Sequence, residues 1–483
     1  MNDCRRKLLD EALAIVREFP GRNIATDSRK VKKGDIFVAV SGVNVEGKDF
    51  IPGAVANGAE VVIYSGTLPE VLPQVNYIEV SDSRQIVSYL YKAFYDLPDN
   101  AVKLYAVTGT NGKTTSAYLL NTILHNCGVQ CGLFSTVEYR TGKENFPATH
   151  TSPDAGQFFR LLDQMRQNGL TACAMESSSH ALAQHRLDSA DIAGAIFTNL
   201  TGDHLDFHKT MENYFAAKVR LFTELLACNG IAAINIDDPY GKMLMEKVNG
   251  HAAAFGTASD AAYHISDISI GADGTAFKLS HAGQVLNISS NLSGAYNIHN
   301  LAGVLTLLWA SGFPPEMLEK SAALPFQVPG RLEKVSTVSP AQFYVDFAHT
   351  DDALRNVLAT VKSFTAGRLW VVFGAGGDRD RTKRPRMGRA ASEYADILVV
   401  TSDNPRSEEP QEIINDILSG IPQDAAVHVE VDRAKALQYA VENAAAGDAV
   451  VVAGKGHENY QEIAGVKHPF SDRDILTGIK YER

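Results

Sequence analysis

From residue 102 onward the sequence repeats one pattern: a short apolar segment, a glycine-rich or polar loop, and an amphipathic stretch of helical length. This alternation constrains the fold strongly, because parallel strands need a long crossover connection, which is usually a helix. The pattern predicts βαβ units and a parallel sheet, with helices from about residues 113, 154 and 211. The predicted strands are KLYAVTG, LTACAME, AGAIFTNL and IAAINI.

Two further passages flank this series. Residues 1 to about 98 mix short apolar strands with Gly and Pro turns and predict a small α/β domain. After the turn VPGR at 328–331, a second series of strands and helices predicts a third, Rossmann-like domain. The length of 483 residues suits about three domains of roughly 150 residues each. We therefore predict an α/β protein with domains at 1–98, 99–331 and 332–483.

The composition argues against several classes of protein. Apolar residues make up 45% and charged residues 21%, which is typical of a folded globular chain and argues against disorder. The net charge of −11 argues against nonspecific binding to nucleic acid or to an anionic membrane. No apolar run is long enough for a membrane span, and the charged N-terminal segment lacks the apolar stretch of a secretion signal. With five scattered cysteines, these features predict a protein of the reducing cytoplasm.

The most informative motif is AVTGTNGKTT at 106–115, which predicts a strand, a glycine-rich turn and the start of a helix. Gly109 and Gly112 would let backbone N–H groups approach phosphate oxygens at the helix N-terminus. Lys113 would add a positive charge, and Thr114 would offer a hydroxyl to Mg²⁺. The motif departs from the standard Walker pattern, because its first glycine stands at 109 rather than at 107. We interpret the segment as a phosphate-binding loop rather than as a flexible turn.

Three more polar residues are predicted to lie near the carboxyl ends of strands, where sheets of this kind bind ligands. Glu176 follows TACAM, His204 follows IFTNLTGD, and Lys218 lies in the segment YFAAKVRLF. A carboxylate beside a phosphate loop suits Mg²⁺, which prefers oxygen ligands. Taken singly, each residue is better explained as a solvated or paired group. Their combination with the phosphate loop is what indicates a site.

Ten motifs, in a fixed order, carry a family resemblance. They are GTNGKTT, AMESSSH, FTNLTGDHLDFH, YFAAK, NLSGAYNIHN, VPGRLE, DFAHTDDAL, GAGGDRDRTKRP, DNPR and GKGHE. With these motifs the chain resembles the ATP-dependent Mur ligase family, and within it the ligases that add the third residue of the peptidoglycan stem peptide. The segment TDSRKVKKGDIFVAVSG is similar to the uridine-nucleotide domain of those enzymes, so the resemblance covers nearly the whole chain.

The resemblance implies a UDP-MurNAc-binding domain, a central P-loop-type ATP-binding domain and a C-terminal domain that binds an amino acid. It implies that ATP phosphorylates the D-Glu carboxylate of UDP-MurNAc-L-Ala-D-Glu. The amine of meso-diaminopimelate would then attack the acyl phosphate, giving an amide, ADP and phosphate. The implied cofactors are two Mg²⁺ ions, with ATP as cosubstrate. The expected partners are these small molecules, without nucleic acid or membrane insertion, and we expect a monomer.

The same resemblance assigns the metal and nucleotide residues. Thr114 and Glu176 would hold one Mg²⁺, while His204 and Lys218 would hold the second. In this family the lysine that matches Lys218 is carbamylated to N6-carboxylysine, which turns a cation into a carboxylate that can bind metal. Catalytic roles fall to Lys113, Glu176, His204 and Lys218. The implied ATP-binding residues are Gly109, Thr110, Asn111, Gly112, Lys113, Thr114, Thr115, Asn297, Arg331, Asp346 and His349.

The residues for the other two substrates follow in the same way. Those implied to contact UDP-MurNAc-dipeptide are Ser28, Thr151, Ser152, Ser178, Gln184, Arg186 and Lys218. Those implied to contact diaminopimelate are Arg384, Asp403, Asn404, Pro405, Arg406, Gly454 and Glu458. Arg406 can pair with the distal carboxylate of diaminopimelate and Glu458 with its ammonium, whereas lysine lacks that carboxylate. Such a pocket would disfavour lysine, but it leaves close analogues such as lanthionine open.

Some positions and some alternatives stay open. Lys48, His299, Phe347 and Asp351 differ from the usual family residues, which leaves the uridine-side and nucleotide-side contacts there undecided. A folylpolyglutamate synthase, or the next ligase of the same pathway, would share the phosphate loop and the lysine but would lack the TDSRKV opening and the DNPR and GKGHE pair. A nucleotide switch without enzymatic activity would need no amino-acid pocket.

Overall fold

The computed structural model describes residues 3–42, 45–68, 71–248, 251–271 and 273–480. Within these residues the strands form successive N-terminal, central and C-terminal sheets, followed by a small hairpin. The predicted α/β class is therefore confirmed. The sheets lie within 24–79, 103–290 and 333–453, while the domain limits themselves stay a prediction.

The N-terminal sheet is parallel, and its strands are ordered as they occur in the chain. Its elements are α1 (Asp3–Glu18), β1 (Ile24–Ala25), β2 (Ile36–Val38), α2 (Ile51–Ala56), β3 (Val61–Tyr64), β4 (Asn76–Glu79) and α3 (Ser83–Phe94). Ile36 and Val38 face the core shared with α1 and α3. Phe37 and Val62 face the opposite core, which includes α2. The alternation along β2 follows from the two-residue period of a strand.

The central sheet is built around a parallel strand, β5, that leads into the phosphate loop. Its first elements are β5 (Lys103–Thr108), α4 (Lys113–Asn126), β6 (Cys131–Phe134), β7 (Glu138–Arg140), β8 (Asn145–Pro147), α5 (Ala155–Gln167), β9 (Ala172–Glu176), α6 (Ser179–Ala183), β10 (Ile192–Phe197), α7 (Leu205–His208) and α8 (Met211–Arg220). The remaining elements are β11 (Leu226–Asn235), α9 (Pro239–Met245), β12 (His251–Gly256), β13 (Tyr263–Gly271), β14 (Gly274–His281), β15 (Gln284–Ser290), α10 (Ala295–Ala310) and α11 (Pro315–Ala322).

The strand order in this sheet is β15-β14-β13-β12-β11-β10-β5-β9-β6-β7-β8. Its middle strands are parallel, whereas β13 to β15 at one edge and β6 to β8 at the other pair antiparallel. Tyr105 and Val107 of β5 pack against α4 and α10 on one face. Leu104 and Ala106 pack against α5 and α8 on the other. The buried strands are apolar on both faces because helices cover both sides of the sheet.

The C-terminal sheet has the order β16-β17-β21-β18-β19-β20, in which only β16 pairs antiparallel among the described residues. Its elements are β16 (Glu333–Val335), β17 (Gln342–Asp346), α12 (Asp351–Phe364), β18 (Leu369–Phe373), α13 (Lys383–Tyr394), β19 (Ile397–Val400), α14 (Pro410–Leu418), β20 (Val427–Val429), α15 (Arg433–Asn443), β21 (Ala449–Ala453) and α16 (Asp472–Gly478). The hairpin of β22 (Tyr460–Ile463) and β23 (Val466–Pro469) precedes α16.

The alternation of β18 decides how this sheet is covered. Leu369, Val371 and Phe373 enter the core that includes α12, α13 and α14. Trp370 and Val372 enter the core on the opposite face, which includes α15. Both faces of the sheet are therefore covered by apolar cores. Ligands of such sheets bind at the loops that follow the carboxyl ends of the strands. Among the described residues, no helix combines the length and apolar character needed to cross a membrane.

Candidate functional site

A cleft between the central and C-terminal sheets contains a cavity of about 870 Å³. One wall is formed by loops that follow β5, β9 and β10, and the facing wall by the turn after β17 and the start of α12. Ligands of open α/β sheets bind at such strand ends. The predicted residues that line the cavity are Thr110, Asn111, Gly112, Lys113, Thr114, Thr115, Thr151, Ser152, Glu176, Ser178, Arg186, His204, Lys218, Arg331, Asp346 and His349.

The phosphate loop joins β5 to α4 across residues 109–112. Gly112 immediately precedes α4 with a φ of 86°, in the left-handed region that glycine adopts without strain. A Cβ atom there would lie 2.2 Å from Oδ1 of Asn300, so the loop has room only for backbone. Thr114 and Thr115 lie buried in the first turn of the helix. The N–H groups of Thr110 and Asn111 donate to Asn199 at 2.9 Å, whereas the first N–H groups of α4 have no partner within the helix, which is an arrangement that attracts phosphate.

Two lysine side chains donate to one carbonyl oxygen of this loop. Lys113 Nζ donates to the carbonyl oxygen of Gly109 at 3.0 Å and to that of Thr110 at 2.7 Å. Lys218 Nζ, from α8, donates to the Gly109 oxygen at 2.7 Å. Burial lowers the pKa of both lysines, and the pKa of Lys218 falls well below its ordinary value because Lys113 also repels its charge. Burial therefore favours the uncharged amine at Lys218.

Glu176 is the last residue of β9, and its side chain is buried. The backbone N–H of Thr136 donates to its Oε1 at 2.7 Å, and the Thr136 hydroxyl donates to its Oε2 at 3.1 Å. Both carboxylate oxygens thus have a partner while the residue lines the cavity. Thr136 orients the carboxylate that sequence analysis predicts to bind Mg²⁺.

His204 lies just before α7 in a left-handed conformation, with a φ of 55°. Its Nε2 is 3.4 Å from the carboxylate of Asp203, and its ring centre is 4.8 Å from that of His180. Burial lowers the pKa of His204 to about 4, although the Asp203 charge opposes this shift. At neutral pH the imidazole is therefore uncharged and has a nitrogen lone pair for a metal ion.

The donor atoms in the cleft suit a particular kind of metal site. Within the described residues, no three His, Cys, Asp or Glu side chains are grouped so that they could hold a metal ion. The cleft offers instead the hydroxyl of Thr114, the carboxylate of Glu176, the imidazole of His204 and the amine of Lys218. Mg²⁺ is commonly held by one or two protein ligands, with phosphate oxygens and water completing its octahedron. The oxygen donors of Thr114 and Glu176 fit Mg²⁺ that arrives with a nucleotide, whereas the Lys218 amine would offer an oxygen ligand only as a carbamate.

A hydrogen-bond network joins residues predicted to contact the muramoyl dipeptide. The Ser152 hydroxyl lies 2.9 Å from the carbonyl oxygen of Glu176, to which it donates, and 3.3 Å from the Ser178 hydroxyl. Arg186 Nη1 donates to the carbonyl oxygen of Ser152 at 3.1 Å. Its Nε and Nη2 donate to the side-chain oxygen of Gln184 at 3.1 and 2.7 Å. Gln184 is thus a support for Arg186 rather than a residue of the cavity wall.

The turn before β16 and the start of α12 reach the phosphate loop and the first turn of α4 directly. Arg331 Nη2 donates to the Thr114 hydroxyl oxygen at 2.9 Å. Asn111 Nδ2 donates to Asp352 Oδ2 at 2.8 Å, and the Thr201 hydroxyl donates to the same oxygen at 3.3 Å. These bonds join the two walls of the cleft, so the nucleotide side of the site is formed by both domains.

Asp346 and His349 shape the turn after β17. Asp346 accepts hydrogen bonds from the backbone N–H groups of Leu332 and Ala348 at 2.6 and 2.8 Å, and burial raises its pKa. His349 Nδ1 donates to the carbonyl oxygen of Phe347 at 2.8 Å, and burial lowers the pKa of His349. The turn is therefore fixed by its own hydrogen bonds while its outer surface faces the cavity.

Two further predicted residues, Ser28 and Asn297, lie outside the cavity wall, as do Gly109, Gln184 and the residues predicted to contact diaminopimelate. Ser28 belongs to a 3-10 turn of the N-terminal domain, where its carbonyl oxygen accepts from Asn57 Nδ2 at 2.9 Å. Asn297 is buried in α10, where it donates to the carbonyl oxygen of Ser293 at 2.9 Å and accepts from Asn300 at 3.2 Å. Asn300 lines the cavity in its place.

The residues predicted to contact diaminopimelate form a separate cluster at the carboxyl ends of β19 and β21. Asn404 Nδ2 and Lys455 Nζ both donate to Glu458 Oε2 at 2.9 Å. Gly454 approaches Asp403 so closely that a Cβ atom would lie 2.4 Å from its Oδ2. The cluster comprises Asp403, Asn404, Pro405, Arg406, Gly454 and Glu458. None of these described residues belongs to the lining of the cavity.

Gly376 connects this cluster with the cavity. A Cβ atom at Gly376 would lie 3.0 Å from Nη1 of Arg406 and 3.8 Å from Cγ of Arg379. Arg379 lines the cavity. Two guanidinium-bearing side chains therefore flank the same glycine, one on each side of the boundary between the cavity and the cluster.

Arg384, which the resemblance assigns to diaminopimelate, is buried in α13. Its side chain is 0% exposed, and its Nη1 donates to Glu408 at 3.0 Å and to Asp416 at 2.8 Å. Its Nη2 donates to the second oxygen of Glu408 at 2.8 Å. The structure thus places Arg384 in a buried ion-pair cluster between α13 and the segment that leads through α14, away from the cavity wall.

Sequence reasoning left out several residues of the cavity wall. Among them are Thr136, Asn199, Asp203, Asn300, Asp352 and Arg379. Most of them stand inside the motifs that carry the family resemblance, so the signal was present in the sequence. Thr136 has no such signal, because it lies in a short turn outside these motifs.

Family models match three parts of the chain. The model described as "Mur ligase family, catalytic domain" matches residues 22–95, "Mur ligase middle domain" matches 107–308, and "Mur ligase, glutamate ligase domain" matches 330–456. The matched regions correspond to the N-terminal, central and C-terminal sheets.

Curated relatives match almost the entire chain. The "UDP-N-acetylmuramoyl-L-alanyl-D-glutamate--2,6-diaminopimelate ligase" of Aquifex aeolicus is 39% identical over 458 residues, which cover 95% of this chain and 93% of the relative. The ligase of the same name from Geobacter sulfurreducens is 39% identical over 481 residues, covering 95% and 94%. That of Caldanaerobacter subterraneus is 37% identical over 483 residues, covering 99% of both.

Solved structures of ligases also resemble this chain. A structure of a UDP-N-acetylmuramoyl-L-alanyl-D-glutamate 2,6-diaminopimelate ligase matches with a TM-score of 0.67 and 36% identity over 94% of this chain and 93% of that chain. The MurF ligase from Thermotoga maritima in complex with ADP shares the fold, with a TM-score of 0.62 and 19% identity over 94% of this chain and 95% of that chain. The identity of 37–39% over nearly the whole length to several curated ligases shows that this chain belongs to the Mur ligase family.

Proposed function

We propose that this chain is an ATP-dependent, ADP-forming ligase that joins meso-diaminopimelate to the D-Glu carboxylate of UDP-MurNAc-L-Ala-D-Glu in cytoplasmic peptidoglycan precursor synthesis. The observation that carries the proposal is the cleft, in which a phosphate loop, a buried lysine and a buried glutamate face the C-terminal domain. Relatives that are 39% identical and cover 95% of the chain are named as 2,6-diaminopimelate ligases.

The first chemical step transfers the γ-phosphoryl group of ATP to the D-Glu carboxylate. A carboxylate oxygen attacks the γ-phosphorus, the bond to the oxygen that bridges to ADP breaks, and an acyl phosphate forms. The loop N–H groups and Lys113 would neutralise the charge that moves onto the ADP oxygens. Arg331, which reaches Thr114 from the turn before β16 at 2.9 Å, would add a second positive charge.

In the second step the amine of the amino acid attacks the acyl carbon. The new carbon–nitrogen bond forms, the phosphate leaves with its bonding electrons, and the nitrogen loses a proton. The network of Ser152, Ser178 and Arg186 would hold the dipeptide so that the activated carboxyl group stays beside the loop. The Arg406 cluster would hold the distal end of diaminopimelate on the C-terminal domain.

Mg²⁺ would neutralise phosphate charge and align ATP with the carboxylate. Thr114 and Glu176 would hold one ion, and His204 together with a carbamylated Lys218 would hold the second. Carbamylation bonds the uncharged lysine nitrogen to the carbon of CO₂ and releases a proton. Its support is that burial and Lys113 both favour the uncharged amine at Lys218. The product is a carboxylate at a position where an ammonium would repel metal ions.

The proposal is tested by ADP release from purified protein with Mg²⁺, with each substrate omitted in turn. We expect turnover only when ATP, UDP-MurNAc-L-Ala-D-Glu and an amino acid are all present. Across meso-diaminopimelate, lanthionine and L-lysine, meso-diaminopimelate should be used and L-lysine strongly disfavoured. ADP release that does not depend on the muramoyl dipeptide would contradict the proposal. A monomer, which we also propose, should elute at the mass of one chain in size-exclusion chromatography with light scattering.

A further inference from the structure

The hairpin β22–β23 packs against the loop that follows β19, although it belongs to a separate two-stranded sheet. Gln461 Nε2 donates to the carbonyl oxygen of Asp403 at 2.7 Å. The backbone N–H of Glu462 donates to Oδ1 of Asn404 at 2.9 Å. The first strand of the hairpin thus holds the two residues that begin the DNPR motif.

The hairpin also fixes the backbone of Arg406. Its N–H donates to the carbonyl oxygen of Glu462 at 3.0 Å, and its own carbonyl oxygen accepts from the N–H of Ala464 at 2.7 Å. Arg406 has a φ of 52°, a left-handed conformation that few residues other than glycine adopt. Such a conformation persists where the surroundings impose it, and here the two hydrogen bonds from the hairpin do so.

The side chain of Arg406 is held at two of its nitrogen atoms. Nη1 donates to the carbonyl oxygen of Gly377 at 2.7 Å. Nε lies 3.3 Å from Oε2 of Glu462 in an ion pair whose side chains are 20% and 24% exposed. Nη2 donates no hydrogen bond to the described residues. An arginine has five N–H donors in a planar fork, so the Nη1–Nη2 edge retains donors for an external carboxylate.

The two acids of the cluster, Asp403 and Glu458, have partners of their own, and Asp403 Oδ1 accepts from the backbone N–H of Asn404 at 2.7 Å. Glu458 Oε2 lies 2.9 Å from the buried amine of Lys455, and Asn404 donates to the same oxygen. Among the described residues, Glu462 is the carboxylate that forms an ion pair with Arg406, and it meets Nε, which leaves the Nη1–Nη2 edge available.

We propose that Glu462 is a positioning and specificity-determining residue, which holds the Arg406 guanidinium in the orientation that receives the distal carboxylate of the amino-acid substrate. This inference rests on the proposed function, because it takes Arg406 as the carboxylate ligand. Without Glu462, the long arginine side chain would occupy several rotamers and would have to be ordered when the substrate binds. Removing Glu462 should therefore weaken the binding of a substrate with a distal carboxylate and should leave phosphoryl transfer unchanged.

The test compares steady-state kinetics of the full chain for Glu462→Ala, Glu462→Gln and wild type. We expect Glu462→Ala to raise KM for meso-diaminopimelate about tenfold, with kcat within about twofold, because the interaction is made equally in the bound and transition states. Glu462→Gln keeps a hydrogen-bond acceptor and should raise that KM about threefold. The KM for ATP should not change, and the preference for meso-diaminopimelate over L-lysine should fall about tenfold.

A double-mutant cycle separates this role from a general effect on the fold. In an Arg406→Ala background, Glu462→Ala should change KM for meso-diaminopimelate less than about twofold, because the residue acts through Arg406. The matched control is Glu393→Gln, which removes the charge of a carboxylate paired with Arg355 at 2.8 Å in the same domain and should leave every constant unchanged.

The outcomes distinguish the inference from the function on which it rests. An unchanged KM for meso-diaminopimelate in both Glu462 variants, beside a raised KM in Arg406→Ala, would overturn the inference alone. Two other results would also overturn the inference. One is that the effects of Glu462→Ala and Arg406→Ala on KM for meso-diaminopimelate multiply in the double variant. The other is that Glu462→Ala raises KM equally for meso-diaminopimelate and L-lysine. A wild-type protein that does not turn over meso-diaminopimelate would overturn the proposed function and this inference together.

Discussion

At the level of single residues, we expect the chemistry of the cleft to depend on two amines that share one acceptor. Lys113 and Lys218 both donate to the carbonyl oxygen of Gly109, at 3.0 and 2.7 Å. Their expected roles differ, because Lys113 stands at the start of α4 beside the phosphate site, whereas Lys218 reaches the loop from α8. Replacing Lys113 and replacing Lys218 should therefore lower the turnover in different ways.

Lys113→Ala should lower kcat by at least about a hundredfold, because it removes a charge directed at the transferring phosphoryl group. ADP release under saturating substrates measures this, and Lys242→Ala serves as a control, since the Lys242 side chain is 57% exposed. Turnover of Lys113→Ala close to that of wild type would show that the loop does not take part in phosphoryl transfer.

Lys218→Ala should be nearly inactive and should recover part of its activity when acetate or formate is added. A small carboxylate can occupy the space of the proposed carbamate and restore a metal ligand. The same salts should not restore Lys113→Ala, which loses a cation and not a carboxylate. A folded Lys218→Ala that no carboxylate concentration rescues would argue against the carbamate.

The position of the glycine-rich loop is well predicted from the sequence, because the loop lies between an apolar strand and a helix. The sequence predicts the supporting residues less well. Thr136, which holds Glu176 with two hydrogen bonds, and Asn300, which contacts Gly112, come from segments distant in the sequence. Their positions follow from how β6 and α10 pack, and no local spacing encodes that packing.

At the level of elements, the buried guanidinium of Arg384 joins α13 to the segment around α14. Glu408 and Asp416 both accept from it within 3.0 Å. Removing one partner of a buried ion pair commonly costs about 3–5 kcal/mol, because the remaining charges lose their compensation. We propose that Arg384 supports the cluster around Arg406 and does not itself contact the substrate.

Arg384→Ala should therefore lower the thermal unfolding midpoint clearly, whereas Arg406→Ala should leave it near that of wild type. Differential scanning calorimetry of the two variants gives the comparison. An unchanged midpoint in Arg384→Ala, together with a raised KM for meso-diaminopimelate, would support the substrate contact that the resemblance implies.

The same ion pair makes a contribution to stability that depends on pH. The hydrogen bond from Arg384 lowers the pKa of Glu408 from its usual 4.5 to about 2. A lowered pKa stabilises the fold above the unfolded value, and this stabilisation is lost as the pH falls toward the folded value. The difference in unfolding free energy between wild type and Glu408→Gln should thus shrink between about pH 4.5 and pH 2. A difference in unfolding free energy that stays constant across this pH range would contradict the ion pair between Glu408 and Arg384.

The main elements of both large sheets were predictable, because β5, β9, β10, β18 and β21 are apolar runs between loops and helices. The short strands were not predictable. The segment β7–β8 and the hairpin β22–β23 are partly exposed and carry mixed residues, so their sequence resembles loops. Their pairing is decided by the elements on which they pack.

At the scale of the whole molecule, the two inter-domain contacts differ in kind. The N-terminal domain is held to the central domain by buried bonds, among them Lys92 to Asp191 at 3.0 Å and Tyr89 to the carbonyl oxygen of Asp188 at 3.1 Å. The C-terminal domain meets the phosphate loop across a cavity, through Asp352, and Arg331 of the turn that precedes this domain contacts Thr114. We therefore expect ligands in the cleft to alter mainly the position of the C-terminal domain.

ATP and UDP-MurNAc-L-Ala-D-Glu together should reduce the radius of gyration measured by small-angle X-ray scattering. Asp352→Ala removes the acceptor of the Asn111 and Thr201 hydrogen bonds and should weaken this compaction. A radius of gyration that is the same with and without both ligands would indicate that the domains do not close on the substrates.

We propose that the D-Glu carboxylate is activated as an acyl phosphate in this cleft. This proposal is tested most directly with UDP-MurNAc-L-Ala-D-Glu whose reacting carboxylate carries ¹⁸O in both oxygens, followed by mass spectrometry of the released phosphate. Because a carboxylate oxygen becomes the bridging oxygen of the acyl phosphate, each phosphate should carry one ¹⁸O atom for each amide formed. Amide product accompanied by unlabelled phosphate would show that the D-Glu carboxylate is not activated as an acyl phosphate.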